Sequence, residues 1–358
     1  MIICCIRFSS ISLSQMESMK YLTKLFFFFF VLLATSQHVH AQRIPTVFDP
    51  YAFLHIIPNP DGSITRIKEF FPTVPPNTSS SLAFSRDVPL NPEKKTWVRV
   101  YLPNKPGPEP VTNLPVVVFA HGGQFILLST ATPQFDSFLS NTASHLNVLV
   151  VSVDYRLAPE HRLPAAYDDV LEALYWVKDK KDEWVAKYGD VSRCIIMGES
   201  AGGNIAYNVG LRALGQVNKL KPLVIRGLVL VQPFFGGANQ VFVKTGNVPL
   251  EVIELLWRLT LPLGANKNNP YFNPMFGGGS SNLEMIKDLG WRVAIAGCDG
   301  DGLFERQAEV FGFLKKRGVD ASSYFSNGYY HGVFVNNIFA SQKLFEFVRS
   351  VFSSELAY

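Results

Sequence analysis

Uninterrupted apolar runs of strand length recur along the chain and alternate with segments of helical pattern. The runs contain no alternating polar positions, which is typical of parallel strands buried on both faces. They span residues 114–120, 148–153, 194–197, 224–231 and 291–296, and the helical segments between and after them include 165–187, 201–214 and 303–317. This order predicts a doubly wound, mostly parallel α/β sheet with right-handed crossovers.

Two segments do not fit this alternation. Residues 43–75 are rich in proline and aromatic side chains, and residues 234–282 are rich in glycine and asparagine around an apolar helical stretch, 250–261. We predict that these segments form a helical lid over the sheet. No linker interrupts the pattern, so residues 42–358 are predicted to form a single domain.

The first 41 residues have the features of a targeting segment. Lys20 and Lys24 precede an apolar run, 25–34, and Val39-His40-Ala41 has small residues where signal peptidase needs them. The run has roughly half of the ~20 residues needed to span a bilayer, which favours a cleaved signal peptide over a membrane anchor. We therefore expect the protein to enter the secretory pathway (extracellular, ER or vacuole) and to have no membrane association after cleavage.

Composition excludes some classes of partner and points to a globular protein. The chain has 358 residues, 47% of them hydrophobic and 17% charged, which excludes a disordered protein. A formal net charge of +4 is too small to indicate nucleic acid binding. Outside the targeting segment only Cys194 and Cys298 remain, at opposite ends of predicted parallel strands, where they cannot form a disulfide. Asn77-Thr78-Ser79, in a Pro/Ser-rich stretch, is a candidate glycosylation site.

A candidate nucleophile lies between a predicted strand and a predicted helix. Gly198-Glu199-Ser200-Ala201-Gly202 matches the pattern G-x-S-x-G, which places a serine on a strained turn. A serine hydroxyl is a poor nucleophile and has to be held clear of its own backbone, within reach of a base. The position between strand and helix predicts Ser200 as this nucleophile, whereas the pentapeptide alone would indicate only a tight turn.

The base and the acid are expected downstream of the serine, in the order serine, carboxylate, histidine. Of the seven histidines, only His331 follows Ser200. We predict that it acts as general base and then as general acid. Asp299 and Asp301 both follow the run 291–296, Glu305 is a more distant option, and spacing does not choose between the two aspartates.

An oxyanion intermediate needs backbone N–H donors from a stretch of chain without obstructing side chains. His121-Gly122-Gly123 follows the run 114–120 and provides such a stretch. We predict an oxyanion hole formed by the N–H groups of Gly122, Gly123 and Ala201. Taken alone, the two glycines would indicate only a turn after a strand.

Together these motifs resemble plant carboxylesterases of the hormone-sensitive-lipase branch of α/β-hydrolases, from about residue 48 to the C-terminus. Further motifs that carry the resemblance are DYRLAPEHRLPAAYDD at 154–169, QPFFGG at 232–237, LWRLTLPLGAN at 256–266 and the dipeptide Asn273-Pro274. The resemblance implies an α/β-hydrolase fold, and it selects Asp301, which begins the family's D-x-L motif, as the triad acid. Gln124 departs from the HGGG motif of the family's esterases, and a signal peptide is unusual among these relatives.

Three functions are compatible with this resemblance. The first is a serine carboxylesterase that hydrolyses a small-molecule ester through a Ser200 acyl-enzyme, without metal or cofactor. The second is a lyase or cyclase of plant specialised metabolism in which His331 shuttles a proton. The third is a non-catalytic small-molecule receptor, which the presence of His331 disfavours. We predict a hydrophobic substrate pocket that includes Gln124, Phe125, Phe234 and Trp257, and oligomeric state is not predicted.

Overall fold

Ten β-strands and twelve α-helices make up the part of the chain that this computed structural model describes, which is residues 48–104, 112–237, 248–276 and 280–356. The strands are β1 (Ile56–Pro58), β2 (Ile64–Arg66), β3 (Ala83–Asn91), β4 (Thr96–Pro103), β5 (Leu114–Ala120), β6 (Leu149–Asp154), β7 (Gly189–Glu199), β8 (Ile225–Val231), β9 (Arg292–Cys298) and β10 (Asp320–Ser326). The helices are α1 (Pro50–Phe53), α2 (Pro133–Leu146), α3 (Ala165–Lys178), α4 (Glu183–Tyr188), α5 (Ala201–Leu214), α6 (Val217–Leu220), α7 (Leu250–Thr260), α8 (Ser280–Asp288), α9 (Phe304–Lys316), α10 (Val333–Asn336), α11 (Ile338–Val351) and α12 (Ser353–Leu356).

The central sheet has eight strands in the order β10-β9-β8-β7-β5-β6-β4-β3. Strands β5 to β10 pair in parallel, and β4 pairs antiparallel with both β6 and β3. This is the mostly parallel sheet that the apolar runs predict. Strand β5 has the predicted bounds, whereas β7 begins at Gly189, before its apolar run, because Gly189 and Asp190 pair with the start of β5.

Helices cover both faces of the sheet. On one face α3 and α5 bury residues such as Tyr167 and Ile205 against the strands. On the other face α2 and α11 bury Phe138 and Phe345. Strands buried from both sides need apolar residues at every position, which is why their sequences lack polar alternation.

The predicted helix 165–187 is divided into two in the structure. Helix α3 ends at Lys178, and α4 begins after Asp182. The carboxylate of Asp182 accepts hydrogen bonds from the backbone N–H groups of Trp184 and Val185, which is the geometry of a helix N-cap. The cap starts a new helix, so the helical pattern of residues 165–187 belongs to two helices.

The two segments outside the alternation pack against each other as a lid. Leu54 and Ile56 from the N-terminal segment share a buried apolar cluster with Val252, Leu255 and Leu256 of α7. The side chain of Arg66 anchors the N-terminal segment to the body of the protein through the carbonyl groups of residues 126 and 158 and through Glu160. Both predicted segments thus form the lid in their described parts, but the lid is only partly helical, because the N-terminal segment contains the paired strands β1 and β2 besides the short helix α1.

The N-terminal prediction lies outside this description. Residues 1–47 are not described, so the signal peptide over residues 1–41 stays a prediction. Residues 49–358 form one compact unit. Among the described helices, none has the length and apolar character needed to cross a membrane. Cys194 and Cys298 are both buried and free, as their separation in the sheet requires.

Candidate active site

Ser200 occupies the sharp turn between β7 and α5. Its backbone has φ 54° and ψ −117°, which is strained for a residue with a side chain and costs roughly 1–3 kcal/mol. Gly202 permits this turn, because a Cβ atom there would lie 1.9 Å from the carbonyl oxygen of Ala120. The turn therefore holds the Ser200 hydroxyl at the N-terminal end of α5, beside the loop that follows β5.

Ser200, His331 and Asp301 form a continuous hydrogen-bonded chain. Ser200 Oγ lies 2.9 Å from His331 Nε2, and His331 Nδ1 lies 2.9 Å from Asp301 Oδ2. The carboxylate of Asp301 is buried, whereas about a third of the imidazole side chain, 34%, is exposed. The imidazole thus has a serine hydroxyl on one nitrogen and a carboxylate on the other, which is the geometry a proton relay needs.

Asp301 is held by donors on every side. The N–H of Leu303 donates to Oδ1 at 2.9 Å, and the side-chain amides of Gln232 and Gln307 donate to Oδ2, each at 2.9 Å. Together with the imidazole, these bonds orient a carboxylate that would otherwise be costly to bury.

The two other candidate acids lie elsewhere. Asp299 accepts a hydrogen bond from the backbone N–H of Gly328 and so supports the loop that carries His331. Glu305 is exposed in the first turn of α9. Of the three acidic residues that follow the strand β9, the structure brings only Asp301 into contact with the imidazole.

Gln232 is a site residue that sequence reasoning missed. Its amide group donates to Asp301 Oδ2 and, at 3.2 Å, to the carbonyl of Tyr330, while its Oε1 accepts from the N–H of Gly332 at 2.9 Å. It therefore links the acid to both neighbours of His331. The sequence did contain one signal for Gln232, which is its position directly after β8. Ser200 follows β7 at the same edge of the sheet.

Two carboxyl groups face the imidazole, and their pKa values shift in opposite directions although burial raises both. Burial tends to raise the pKa of Asp301, but the charge of His331 and the hydrogen bonds around Asp301 outweigh it and lower that pKa. Burial tends to lower the pKa of His331, but Asp301 and then Glu199 raise it to about 9. Burial raises the pKa of Glu199 to about 7, against the opposing charge of His331.

The predicted oxyanion donors lie beside Ser200, in the loop that follows β5 and at the start of α5. Ala120 pairs with Gly198 across β5 and β7, so Gly122, two residues further on, lies level with Ser200. A Cβ atom on Gly122 would approach Glu199 Oε2 to 2.1 Å, which shows how closely the two loops pass. Within the described chain, the N–H groups of Gly122 and Gly123 donate to no other group. Ala201 is the first residue of α5, where the backbone N–H has no partner within the helix.

An apolar cavity, here called the serine pocket, opens beside the hydroxyl. Its volume is about 310 Å³, and Phe53, Val252 and Leu256 of the lid form part of its wall. Gln124 and Phe234 also line it, as predicted from the sequence. The pocket thus lies between the sheet edge and the lid.

Phe125 and Trp257, which were also predicted to bind substrate, do not line the serine pocket. Trp257 stacks on Phe234 with ring centroids 4.7 Å apart, and Phe125 packs against both rings at 5.9 and 6.3 Å. They support the wall from behind. Sequence could identify the aromatic cluster but not which ring faces the cavity.

The remaining predicted residues are placed as follows. Gln124 adopts φ 53°, a left-handed conformation that usually favours glycine, which is the residue at this position in the family's HGGG motif. Asn77 is exposed, and its side chain accepts a hydrogen bond from the N–H of Ser79 at 2.9 Å. In the part of the chain that is described, no group of histidine, cysteine or acidic residues could hold a metal ion.

Comparison with known proteins shows which family this chain is similar to. Residues 117–335 match a family model described as alpha/beta hydrolase fold. The chain is 43% identical to carboxylesterase 20 of Arabidopsis thaliana, over 87% of this chain and 98% of that protein. It is 38% identical to a 3-O-acetylpapaveroxine carboxylesterase of Papaver somniferum, over 80% of this chain and 91% of that protein. Among solved structures, an esterase of Pyrobaculum calidifontis has a TM-score of 0.62 and 26% identity, covering 77% of this chain and 86% of that one.

Proposed function

Because this chain belongs to the α/β-hydrolase family that includes the plant carboxylesterases, and is a carboxylic ester hydrolase, we propose that Ser200, His331 and Asp301 perform its reaction. The observation that carries this assignment is the pair of 2.9 Å contacts that join the hydroxyl to the imidazole and the imidazole to the carboxylate. The low pKa of Asp301 keeps it ionised, so it can stabilise the imidazolium that forms during the reaction.

In the first half of the reaction the enzyme is acylated. His331 Nε2 takes the proton of Ser200 as the serine oxygen attacks the ester carbonyl. The N–H groups of Gly122, Gly123 and Ala201 stabilise the negative charge that develops on the carbonyl oxygen. The carbon–oxygen bond to the alcohol then breaks, and His331 returns the proton to the departing oxygen.

In the second half water replaces the alcohol. His331 removes a proton from the water as it attacks the acyl group, and it then returns that proton to Ser200 Oγ. The products are one carboxylic acid and one alcohol, and no metal or cofactor takes part. The apolar wall of the serine pocket supports a small, uncharged group at the reacting centre.

Replacement of Ser200 tests this mechanism. Ser200→Ala should lower kcat for p-nitrophenyl acetate and butyrate by about a thousandfold or more, because the nucleophile is lost while the binding pocket remains. A fluorophosphonate probe should label the wild-type protein and not the variant. Ser350→Ala, which makes the same change on an exposed helix face, should have no effect on either measurement.

Three results would contradict the mechanism. Undiminished turnover by Ser200→Ala would place the nucleophile elsewhere. Labelling of Ser200 without turnover of any ester would favour the receptor or the lyase or cyclase, in which His331 only shuttles a proton. Absence of both labelling and turnover would favour the receptor.

A further inference from the structure

Ser200 lies between two chambers of different character. One is the serine pocket. The second, here called the polar chamber, has a volume of about 210 Å³ and includes Gln124, Gln134, Glu199 and Asn336, with Ser200 and His331 at its boundary with the serine pocket. The hydroxyl and the imidazole therefore face both chambers, and an ester bound at Ser200 would extend into each.

The two chambers offer different chemistry to a substrate. Apart from Gln124, the triad side chains and Tyr330, the side chains that line the serine pocket are hydrocarbon. The polar chamber has four hydrocarbon side chains in its wall, but it adds two further carboxamides and a carboxyl group. The side chain of Gln134 makes no hydrogen bond to the described residues, and Asn336 uses only its Nδ2, which donates to the carbonyl of Gly332 at 2.9 Å. Both carboxamides therefore have hydrogen-bonding groups that no residue of the described chain uses.

Glu199 is the most unusual group in the polar chamber. The residue is only 4% exposed, and its carboxyl group accepts no hydrogen bond from the described chain. The nearest cationic partner is His331, whose Nε2 is 4.0 Å from Glu199 Oε1, beyond hydrogen-bond distance. A buried carboxyl group without donors is costly, so this arrangement favours a ligand that supplies them.

We propose that the polar chamber binds the alcohol half of the ester, and that this alcohol is uncharged and carries hydroxyl groups besides the esterified one, as glycerol and sugars do. This inference rests on the proposed hydrolysis at Ser200. The free hydroxyl groups donate to Glu199 and exchange hydrogen bonds with Gln134 and Asn336. The acyl half occupies the serine pocket.

The position of His331 supports this orientation of the ester. Its Nε2 is the atom that returns the proton to the departing alcohol, and Glu199 approaches that same nitrogen. Glu199 lines only the polar chamber, so the alcohol that receives the proton is the half of the ester next to it.

The charge balance favours a neutral alcohol over an amine. Attack by Ser200 leaves His331 as an imidazolium, whose positive charge lies 4.0 Å from Glu199. A cationic substrate group in the same small chamber would face that imidazolium and be repelled by it. Hydroxyl groups supply hydrogen bonds without this repulsion.

Matched esters test the proposal. Glycerol monobutyrate and propyl butyrate share an acyl group and differ only in two hydroxyl groups on the alcohol. For the wild-type protein we expect kcat/KM to be about tenfold higher for glycerol monobutyrate, which corresponds to ~1.4 kcal/mol of transition-state binding. Propyl glycerate and propyl propanoate place the same difference in the acyl half, and here we expect no preference for the hydroxylated ester.

Variants of Gln134 connect the preference to the polar chamber. Gln134→Leu and Gln134→Ala should each reduce the ratio of the two butyrate rates by about threefold or more, because glycerol monobutyrate loses a hydrogen bond that propyl butyrate cannot make. Gln342→Leu makes the same chemical change on an exposed face of α11 and should leave the ratio unaltered. Thermal unfolding of each variant checks that it is folded.

Failure of this inference is distinguishable from failure of the proposed function. Ser200-dependent turnover of both butyrates at equal rates would overturn the polar chamber assignment and leave the esterase mechanism intact. A preference for propyl glycerate over propyl propanoate would overturn the orientation. Absence of Ser200-dependent turnover for every ester would overturn the mechanism itself.

Discussion

Glu199 and Asp301 place two carboxyl groups against one imidazole, and the pH dependence of activity follows from their different surroundings. Asp301 is bound by four donors, and its pKa is lowered. Glu199 has none of these bonds, and burial raises its pKa to about 7. Both negative charges stabilise the protonated form of His331, whose pKa is raised to about 9.

Activity should increase with pH, because His331 has to lose its proton before it can act as a base. Protonated His331 cannot accept the Ser200 proton, so kcat/KM should still be rising between neutral pH and about 9. Glu199→Gln removes a negative charge 4.0 Å from Nε2, which lowers the pKa of His331. The acid limb of the kcat/KM profile should therefore move to lower pH, by about one unit.

The matched control for this measurement is Glu305→Gln. Glu305 is also acidic and near in sequence to Asp301, but it is exposed on α9, so solvent screens its charge. Its profile should coincide with that of the wild type. A Glu199→Gln profile that also coincides would mean that this carboxyl group does not act on the imidazole.

At the scale of single residues, the sequence was sufficient to predict those site residues that their position along the chain identifies. Ser200 lies between a strand and a helix, and His331 is the only histidine downstream of it, so both could be selected without coordinates. Asp299 and Asp301 leave the same strand two residues apart, and spacing alone did not choose between them. The position of Gln232 after β8 could place it at the same sheet edge, but its contacts and those of Glu199 depend on side-chain direction, which the sequence does not give.

At the scale of elements, α3 is held to the body of the protein by a buried ion pair. Asp169 is fully buried, and its carboxylate accepts hydrogen bonds from the backbone N–H and the guanidinium of Arg156, at 2.8–3.1 Å. Its neighbour Asp168 pairs with Arg212, but half of the Asp168 side chain is exposed. Two adjacent aspartates on one helix thus differ mainly in burial.

Replacing each aspartate separates these contributions. Asp169→Ala should lower the free energy of unfolding by about 3 kcal/mol, because it leaves Arg156 without its partner in a partly buried site. Asp168→Ala should lower it by less than about 1 kcal/mol, as is usual for an exposed pair. Urea unfolding measures both, and equal losses would show that the ion pair at Asp169 does not anchor the helix.

The predicted elements differ from the observed ones for identifiable reasons. The strand at 114–120 and the helix at 201–214 were predicted with their observed bounds because each is flanked by clear turn signals. β3 and β4 were not predicted. β3 is the edge strand and alternates buried with partly exposed residues, so it lacks the continuous apolar run used to identify the others.

At the scale of the whole molecule, the residues of the candidate site come from one edge of the sheet. Gly122, Ser200, Gln232, Asp301 and His331 each follow the carboxyl end of a strand, and these are β5, β7, β8, β9 and β10. Parallel strands bring these ends together, so an assembly from distant parts of the chain was predictable from the alternation. The packing of the lid was not, because its segments follow no comparable rule.

We also propose that the protein enters the secretory pathway and is glycosylated at Asn77. When the full chain is expressed in a plant or yeast cell, the mature protein should begin at residue 42, as N-terminal sequencing would show. Glycosidase treatment should reduce its mass. Ser79→Ala should abolish that change because it removes the hydroxyl that the sequon requires, whereas Thr78→Ala should retain it. An intact N-terminus and an unmodified Asn77 would contradict the proposal.

The separation between the sheet edge and the lid has a consequence for how such proteins diversify. The groups that break the bond are attached to strand ends, whereas much of the wall that selects the substrate comes from α1 and α7, outside the strand–helix alternation. Lid substitutions can therefore accumulate without disturbing the bond-breaking groups. Descendants of one ancestral gene could in this way acquire new substrates while keeping the same chemistry.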